Sequence, residues 1–421
     1  MSQSSLLAGA ATRCITPKPD ERPVFLAGFQ NNRRATAVDT DLYVRALALR
    51  LDERVALIAV CDLIGLDRGD VLDVRAALDA RGIDSSGLVV ACTHTHSGPD
   101  TLGPWGPEQS VSGVDPIYLA SAKQAIVDAV IEALTFCCPA RLRCAATHLP
   151  GYIANFRDPG IVDDEVAALQ FVKRDGEVIA TLLNLACHPE VLDSDSTLIS
   201  ADYAGYACRE AETRVGGVAL HVSGALGGML SPDTGDHTPA WAERVGRAYA
   251  EAALTALAVQ PAVEVERLDV RRAEFDLPLA NPLLLMAQQM GVLRARQPVN
   301  GAIITCCTYI DLGPAQIITV PGELLPRLGF ELKAALPGPC RVLIGLADDE
   351  IGYILPDDEF IPPTDYLNPG KQYEESMSVG PTTGSRVLAA ARGLIGDSLS
   401  GRYGRAERRR RSGHGGATSN G

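Results

Sequence analysis

The stretch Thr93-His94-Thr95-His96-Ser97-Gly98-Pro99 sets two imidazoles one residue apart. It follows the apolar run Leu88-Val89-Val90-Ala91-Cys92, whose unbroken hydrophobicity predicts a buried strand. Alternate residues of a strand face the same side, so His94 and His96 share a face. Gly98 and Pro99 then turn the chain. Two imidazoles at a strand end can hold a metal ion, or one can hold it while the other meets a substrate. They can equally be two hydrogen-bonded histidines, since an HxH pair alone is a weak motif.

The flanking elements are those of an α/β layer. Tyr43 to Leu51 and Arg54 to Leu63 read as strands, the second ending near Cys61-Asp62. Asp70 to Arg81 has helical period and is closed by Gly82. The histidine strand comes next, and in such sheets sites gather beyond the C-terminal ends of strands. Asp115-Pro116 opens a helix to about Phe136, with Asp as N-cap and Pro at the first position. Glu165 to Lys173 and Glu177 to Ala186 form a hairpin around Asp175-Gly176. Its second strand runs into Asn184-Leu185-Ala186-Cys187-His188-Pro189-Glu190, which places a third histidine at a strand end.

Downstream come a carboxylate-rich loop with Asp193, Asp195 and Asp202, a helix from Tyr203 to Val215 and a strand from Val218 to Val222. The glycine-rich Gly224 to Asp233 segment, with Leu230-Ser231-Pro232-Asp233, lets backbone approach a ligand closely or is only a turn. A helix from Thr238 to Val259, strands within Val263 to Phe275 and a helix from Asn281 to Leu293 follow. Ala302 to Asp311 and Gln316 to Val320 read as a second hairpin, after which Val320-Pro321-Gly322-Glu323 carries a carboxylate just past a strand end. Glu323 also suits the first turn of the helix running to Leu336. A strand from Arg341 to Leu346 precedes Gly352-Tyr353-Ile354, and Pro381 to Leu399 is a last helix. The segment Leu26 to Arg34, rich in Gly, Asn and Arg, reads as a loop that lines a pocket or, on its own merits, plain surface.

The 421 residues are 46% hydrophobic and 21% charged, which suits a globular enzyme. A formal net charge of −14 argues against nucleic acid and anionic membrane as partners. No apolar run is long enough to span a bilayer, and the N-terminus lacks the features of a signal peptide, so a cytoplasmic protein is expected. The eleven cysteines are scattered, odd in number and without a CxxC, and are expected to be reduced.

Taken in order, THTHSGP, NLACHPE, LSPD, VPGE and GLADDEIGY resemble the catalytic domain of the neutral/alkaline non-lysosomal ceramidases, which are zinc-dependent amidases. The likeness runs from Gly9-Ala10-Ala11-Thr12 through Leu26-Ala27-Gly28-Phe29 to Tyr373-Glu374-Glu375 and Gly380-Pro381. It implies zinc ligation by His94, His188, Glu323 and Tyr353, with Tyr366 and Tyr373 close to the last. It also implies that His96 faces substrate or water and that Arg157, in Asn155-Phe156-Arg157, is an active-site arginine. Ser231 becomes a nucleophile, a substrate contact or a turn residue. Two imidazoles, a carboxylate and a phenolate suit Zn²⁺, which lowers the pKa of water to about 7.

The implied fold is α/β, with mixed β-sheets flanked by helices in one catalytic domain over residues 1–400 and a disordered Arg/Gly/Ser-rich tail at 401–421. The implied function is zinc-dependent cleavage of a carboxamide, with His96 and Arg157 stabilising the oxyanion. Departures bear on the substrate: SPD stands where the family has SPN, and Leu355 to Phe360 is acidic. The family's secretion signal and C-terminal β-sandwich are not expected in this protein. These features favour a soluble or less lipidic amide, with no stable membrane insertion. Asp357-Asp358-Glu359 would favour an amine-bearing molecule or is simply a solvated loop. True ceramidase activity, releasing sphingosine and fatty acid, and an inactive metal-binding scaffold are the competing readings.

Overall fold

The computed structural model describes residues 5–294 and 301–396. The expected tail at 401–421 lies outside the described residues. Three larger sheets carry the fold. The first has strand order 88–92, 54–61, 43–51, 7–14, 138–139; the second 218–223, 178–185, 165–172, 141–148; the third 269–278, 302–311, 315–319, 340–344.

Each sheet is mostly antiparallel but contains one parallel pair: 54–61 with 88–92, 178–185 with 218–223, and 315–319 with 340–344. The sheets share one apolar core, in which Leu47, Ile58 and Val89 meet Leu169, Leu182 and Leu220 and Ile310, Ile317 and Val342. Strands covered on both faces need apolar runs, as in the wholly buried Leu88–Cys92; Ala315–Thr319 is also buried throughout, with Gln316 and Thr319 hydrogen-bonded inside.

Helices cover the outer faces. Arg68–Asp79 and Pro116–Thr135 pack on the first sheet, and Asp202–Val215 with Pro239–Ala258 on the second. Pro326–Ala335 and the helical stretch 383–396 pack on the third. The caps follow the sequence. Asp115 accepts from the amides of Ile117 and Tyr118, and Thr238 from that of Trp241. The strand–helix–strand unit and both hairpins form as expected. The strand expected within 263–275 is instead Asp269–Pro278, and the helix expected to reach Leu293 stops at Gln289. All eleven cysteines are free.

Polar ties hold the sheets together where their parallel strands end. Asn184 Nδ2 donates to the carbonyls of Val222 and Leu343, both at 2.9 Å. Ser223 Oγ donates to the Thr93 carbonyl at 2.8 Å. Asp348, past the end of Cys340–Ile344, accepts from the Val90 amide at 3.0 Å and from Arg75 and Arg272, each at 3.1 Å. Its side chain is 1% exposed, so removing it takes the carboxylate partner from two part-buried guanidinium groups. Asp348→Ala is expected to cost about 3–5 kcal/mol in urea unfolding, whereas a loss below about 1 kcal/mol would mean the sheets do not depend on this tie.

Candidate metal centre

Each sheet delivers one donor from just beyond a strand of its parallel pair. His94 follows Leu88–Cys92, His188 follows Val178–Leu185, and Glu323 follows Ala315–Thr319. His94 adopts φ 67°, in the left-handed region, with its amide on the Leu63 carbonyl at 2.9 Å. Its Nδ1 meets the Ile64 carbonyl at 2.6 Å. His188 is fully buried, and its Nδ1 meets the Leu230 carbonyl at 2.8 Å. A carbonyl only accepts, so both Nδ1 atoms carry the proton and both Nε2 atoms present lone pairs.

Those two Nε2 atoms lie 3.5 Å and 3.1 Å from one atom, Glu323 Oε2. Lone pairs facing a carboxylate oxygen in a buried site require a proton or a cation between them. Tetrahedral zinc, with N and O bonds of about 2.0–2.1 Å, separates neighbouring donors by about 3.3 Å. The donor set therefore fits a borderline divalent ion such as zinc. His94, His96 and His188 together bring ring nitrogens within 4.8 Å of one another.

Without a metal, a proton serves instead. Burial alone would lower the pKa of His188, but its hydrogen bond to Glu323 and the nearby Glu190 raise it to about 9. Burial opposes ionisation of Glu323 too, yet His94 and His188 hold its carboxyl far below the usual range. Burial pushes His96 down to about 4 against the pull of Glu190, leaving it neutral near pH 7.

His96 is gripped from several sides. Its amide donates to the Pro189 carbonyl at 3.1 Å, and Arg33 donates to its carbonyl. Phe29 meets its ring edge-on at 5.0 Å. A Cβ on Gly28, at φ +101°, would fall 2.3 Å from His96 Cγ, so only glycine fits. The 26–34 segment, which alone reads as surface, is thus the seat of this imidazole. Its Nδ1 lies 3.0 Å from Glu190 Oε2, an ion-pair distance without hydrogen-bond alignment.

The centre opens into a cavity of about 130 Å³. Its walls are mainly apolar, with Leu102, Trp105, Leu279, Leu284, Ile303 and Met377, while His94, His96, Glu323 and Tyr353 stand on its lining.

No family model matches the chain, and no curated protein does. Solved structures do. A neutral ceramidase from Pseudomonas aeruginosa superposes with a TM-score of 0.76 at 18% identity, over 93% of this chain and 74% of that one. A ceramidase complexed with C2 gives a TM-score of 0.77 at 19% identity, over 95% and 76% of the two chains. The chain has the neutral ceramidase fold. The mixed α/β architecture expected from the sequence is therefore present.

On this ceramidase fold, His94, His96, His188 and Glu323 come together from three sheets. Tyr353 stands beside Glu323, because Glu323–Leu324 and Tyr353–Ile354 pair as short parallel strands. Burial and then Glu323 push its phenol well above its ordinary pKa, and its hydroxyl meets Met229 Sδ at 3.5 Å. Ser231 lies one step out, donating to Glu190. Arg157 lies further out, donating to Glu374 and, at 2.9 Å, to Glu375.

Other expected features take structural roles. Asp62 is spent on Arg45 at 2.6 Å and on the Tyr43 amide. Gly227 is needed because a Cβ would lie 2.5 Å from the Glu323 carbonyl oxygen, so this glycine admits a strand. Asp358 and Glu359 pair with Arg327, away from the cavity lining, which removes their suggested part in selecting amines. Glu190 is the residue that sequence reasoning passed over. The signal was its place two residues after His188.

Metal uptake must displace the proton that His188 holds below about pH 9. Zinc affinity should accordingly rise with pH by about tenfold per unit on the approach to about pH 9 and level off above it. Chelator competition, corrected for the chelator's own protonation, measures this, and a flat profile would show that no such proton is displaced.

Proposed function

We propose that the chain is a zinc-dependent hydrolase that cleaves the carboxamide bond of a soluble or modestly lipidic N-acyl amine. The observation that carries this reading is the convergence of two Nε2 lone pairs on a buried carboxylate oxygen beside an apolar cavity. The likeness to two ceramidase structures supports an amide as the target. When bound, zinc supplies a Lewis acid that polarises the carbonyl and acidifies water.

His94, His188 and Glu323 would hold the ion, and Tyr353 stands on the cavity side of this set. In the catalytic state Tyr353 either completes the set or donates its hydroxyl to the developing oxyanion. The apolar wall holds the acyl group and excludes water. Arg157, with both Nη atoms on carboxylates, supports the wall through Glu374 and Glu375 and does not itself meet the oxyanion. Because the donors come from all three sheets, residues 1–400 act as one catalytic unit. Eleven free cysteines suit a reducing, cytoplasmic setting.

Purified protein should carry about one zinc per chain. A His94→Ala, His188→Ala double variant that keeps stoichiometric zinc would sink the assignment. The substrate class is decided by kcat/KM for short-chain N-acyl amines in water against ceramide in mixed micelles. The soluble amines are expected to be favoured. A tenfold or greater preference for ceramide would make the chain a ceramidase in its own right, and inactivity on amides, esters and lactams alike would make it a scaffold.

A further inference from the structure

Glu190 sits where the loops of the first two sheets are zipped together. The His96 amide donates to the Pro189 carbonyl at 3.1 Å and the Glu190 amide to the His188 carbonyl at 3.0 Å. Asp202, buried and at φ 53°, accepts from the Leu192 amide at 2.9 Å and fixes the same loop from behind. The Glu190 side chain is 10% exposed, so its two oxygens need partners. One accepts from Ser231 Oγ, and the other lies 3.0 Å from His96 Nδ1. Nδ1 is buried and makes no aligned hydrogen bond among the described residues; the acceptor that stands beside it is Glu190 Oε2.

We propose that Glu190 is a positioning residue of the reaction centre, holding His96 as the Nδ1–H tautomer and accepting the hydroxyl hydrogen bond of Ser231. All three imidazoles then have a protonated Nδ1 turned outward, on Ile64, Leu230 and Glu190, and a lone pair on Nε2 turned inward. His96 becomes a hydrogen-bond acceptor on the cavity lining, able to receive a proton from water or substrate. Ser231 becomes the anchor of Glu190, a supporting role in which its hydroxyl donates to the carboxylate and metal-activated water takes the part of nucleophile.

This rests on the hydrolase reading, but its central measurement does not need turnover. A glutamine at 190 replaces one of the two carboxylate oxygens with an NH2 donor, so His96 and Ser231 no longer each face an acceptor oxygen. In ring-¹⁵N spectra of the full chain, with His96 assigned by its loss in His96→Gln, the wild type should show the Nδ1–H tautomer. Glu190→Gln should convert it to a mixture or to Nε2–H. Glu190→Asp keeps two acceptors and should retain the wild-type pattern, and it serves where the glutamine variant fails to fold. An Nε2–H tautomer in the wild type, or no change in both variants, overturns the proposal.

In turnover, Glu190→Gln should lower kcat by about ten- to hundredfold with KM and zinc content little changed. Ser231→Ala should cost less. A greater loss from Ser231→Ala than from Glu190→Gln would assign the attack to Ser231 and overturn the proposal. Inactivity of the zinc-loaded wild type would count against the hydrolase reading alone, with the tautomer still deciding this one.

Discussion

The fold depends on a buried meeting of acceptors. Two imidazole lone pairs and a carboxylate oxygen share a space a few ångströms wide, and His188 at its centre is fully buried. Such a cluster is unfavourable unless a positive charge joins it. A proton on His188 joins it in part, and a divalent ion would join it fully. The cross-sheet ties serve this meeting. Ser223 on Thr93, Asn184 on Leu343 and Asp348 on Val90 lock the three sheets at the ends from which the donors emerge.

Backbone strain gathers at the same place. His94, Asp202, Met229, Leu346 and Asp348 are non-glycine residues with positive φ. Each costs about 1–3 kcal/mol and persists only where its surroundings leave no alternative. His94 is a donor, Asp202 fixes the loop behind Glu190, and Met229 packs on Tyr353. Leu346 and Asp348 carry the third sheet onto the edge strand Leu88–Cys92 of the first by strand-like bonds to Cys92 and Val90. Rigid apolar sheets therefore hold a strained rim, and the donors belong to the rim.

The parts readable in the sequence are those governed by local rules. Buried strands, proline-started helices and the Asp-Gly hairpin follow from periodicity, caps and turn chemistry. The histidines at strand ends were legible because a strand and its stop are local. Long-range pairings were not. The short pair joining Ile153–Asn155 to Leu230–Pro232 has no pattern of its own, yet it sets Ser231 near Glu190 and Arg157 near Gly228. The seat of His96 on Gly28 was equally invisible, because nothing local distinguishes a glycine kept for a ring contact from one kept for a turn. Glu190 was hidden by its neighbour: beside a candidate ligand, a carboxylate in a loop looks like solvation.

Arg157 shows how a residue can bear on a site without touching it. Its amide lies on the Gly228 carbonyl, and Phe156 donates to Met229, whose sulfur meets the Tyr353 hydroxyl. Its guanidinium forks onto Glu374 and Glu375, whose side chains are 4% and 3% exposed. A buried carboxylate pair of this kind repels itself unless a cation is shared between its members. The short helix that carries them begins at Tyr373, which lines the cavity and meets Tyr353 edge-on at 6.0 Å between ring centres. Arg157 therefore fixes both sides of one cavity wall, Tyr353 through Met229 and Tyr373 through the glutamates. Its positive charge is consumed in doing so, and the cavity wall it secures carries the two tyrosines.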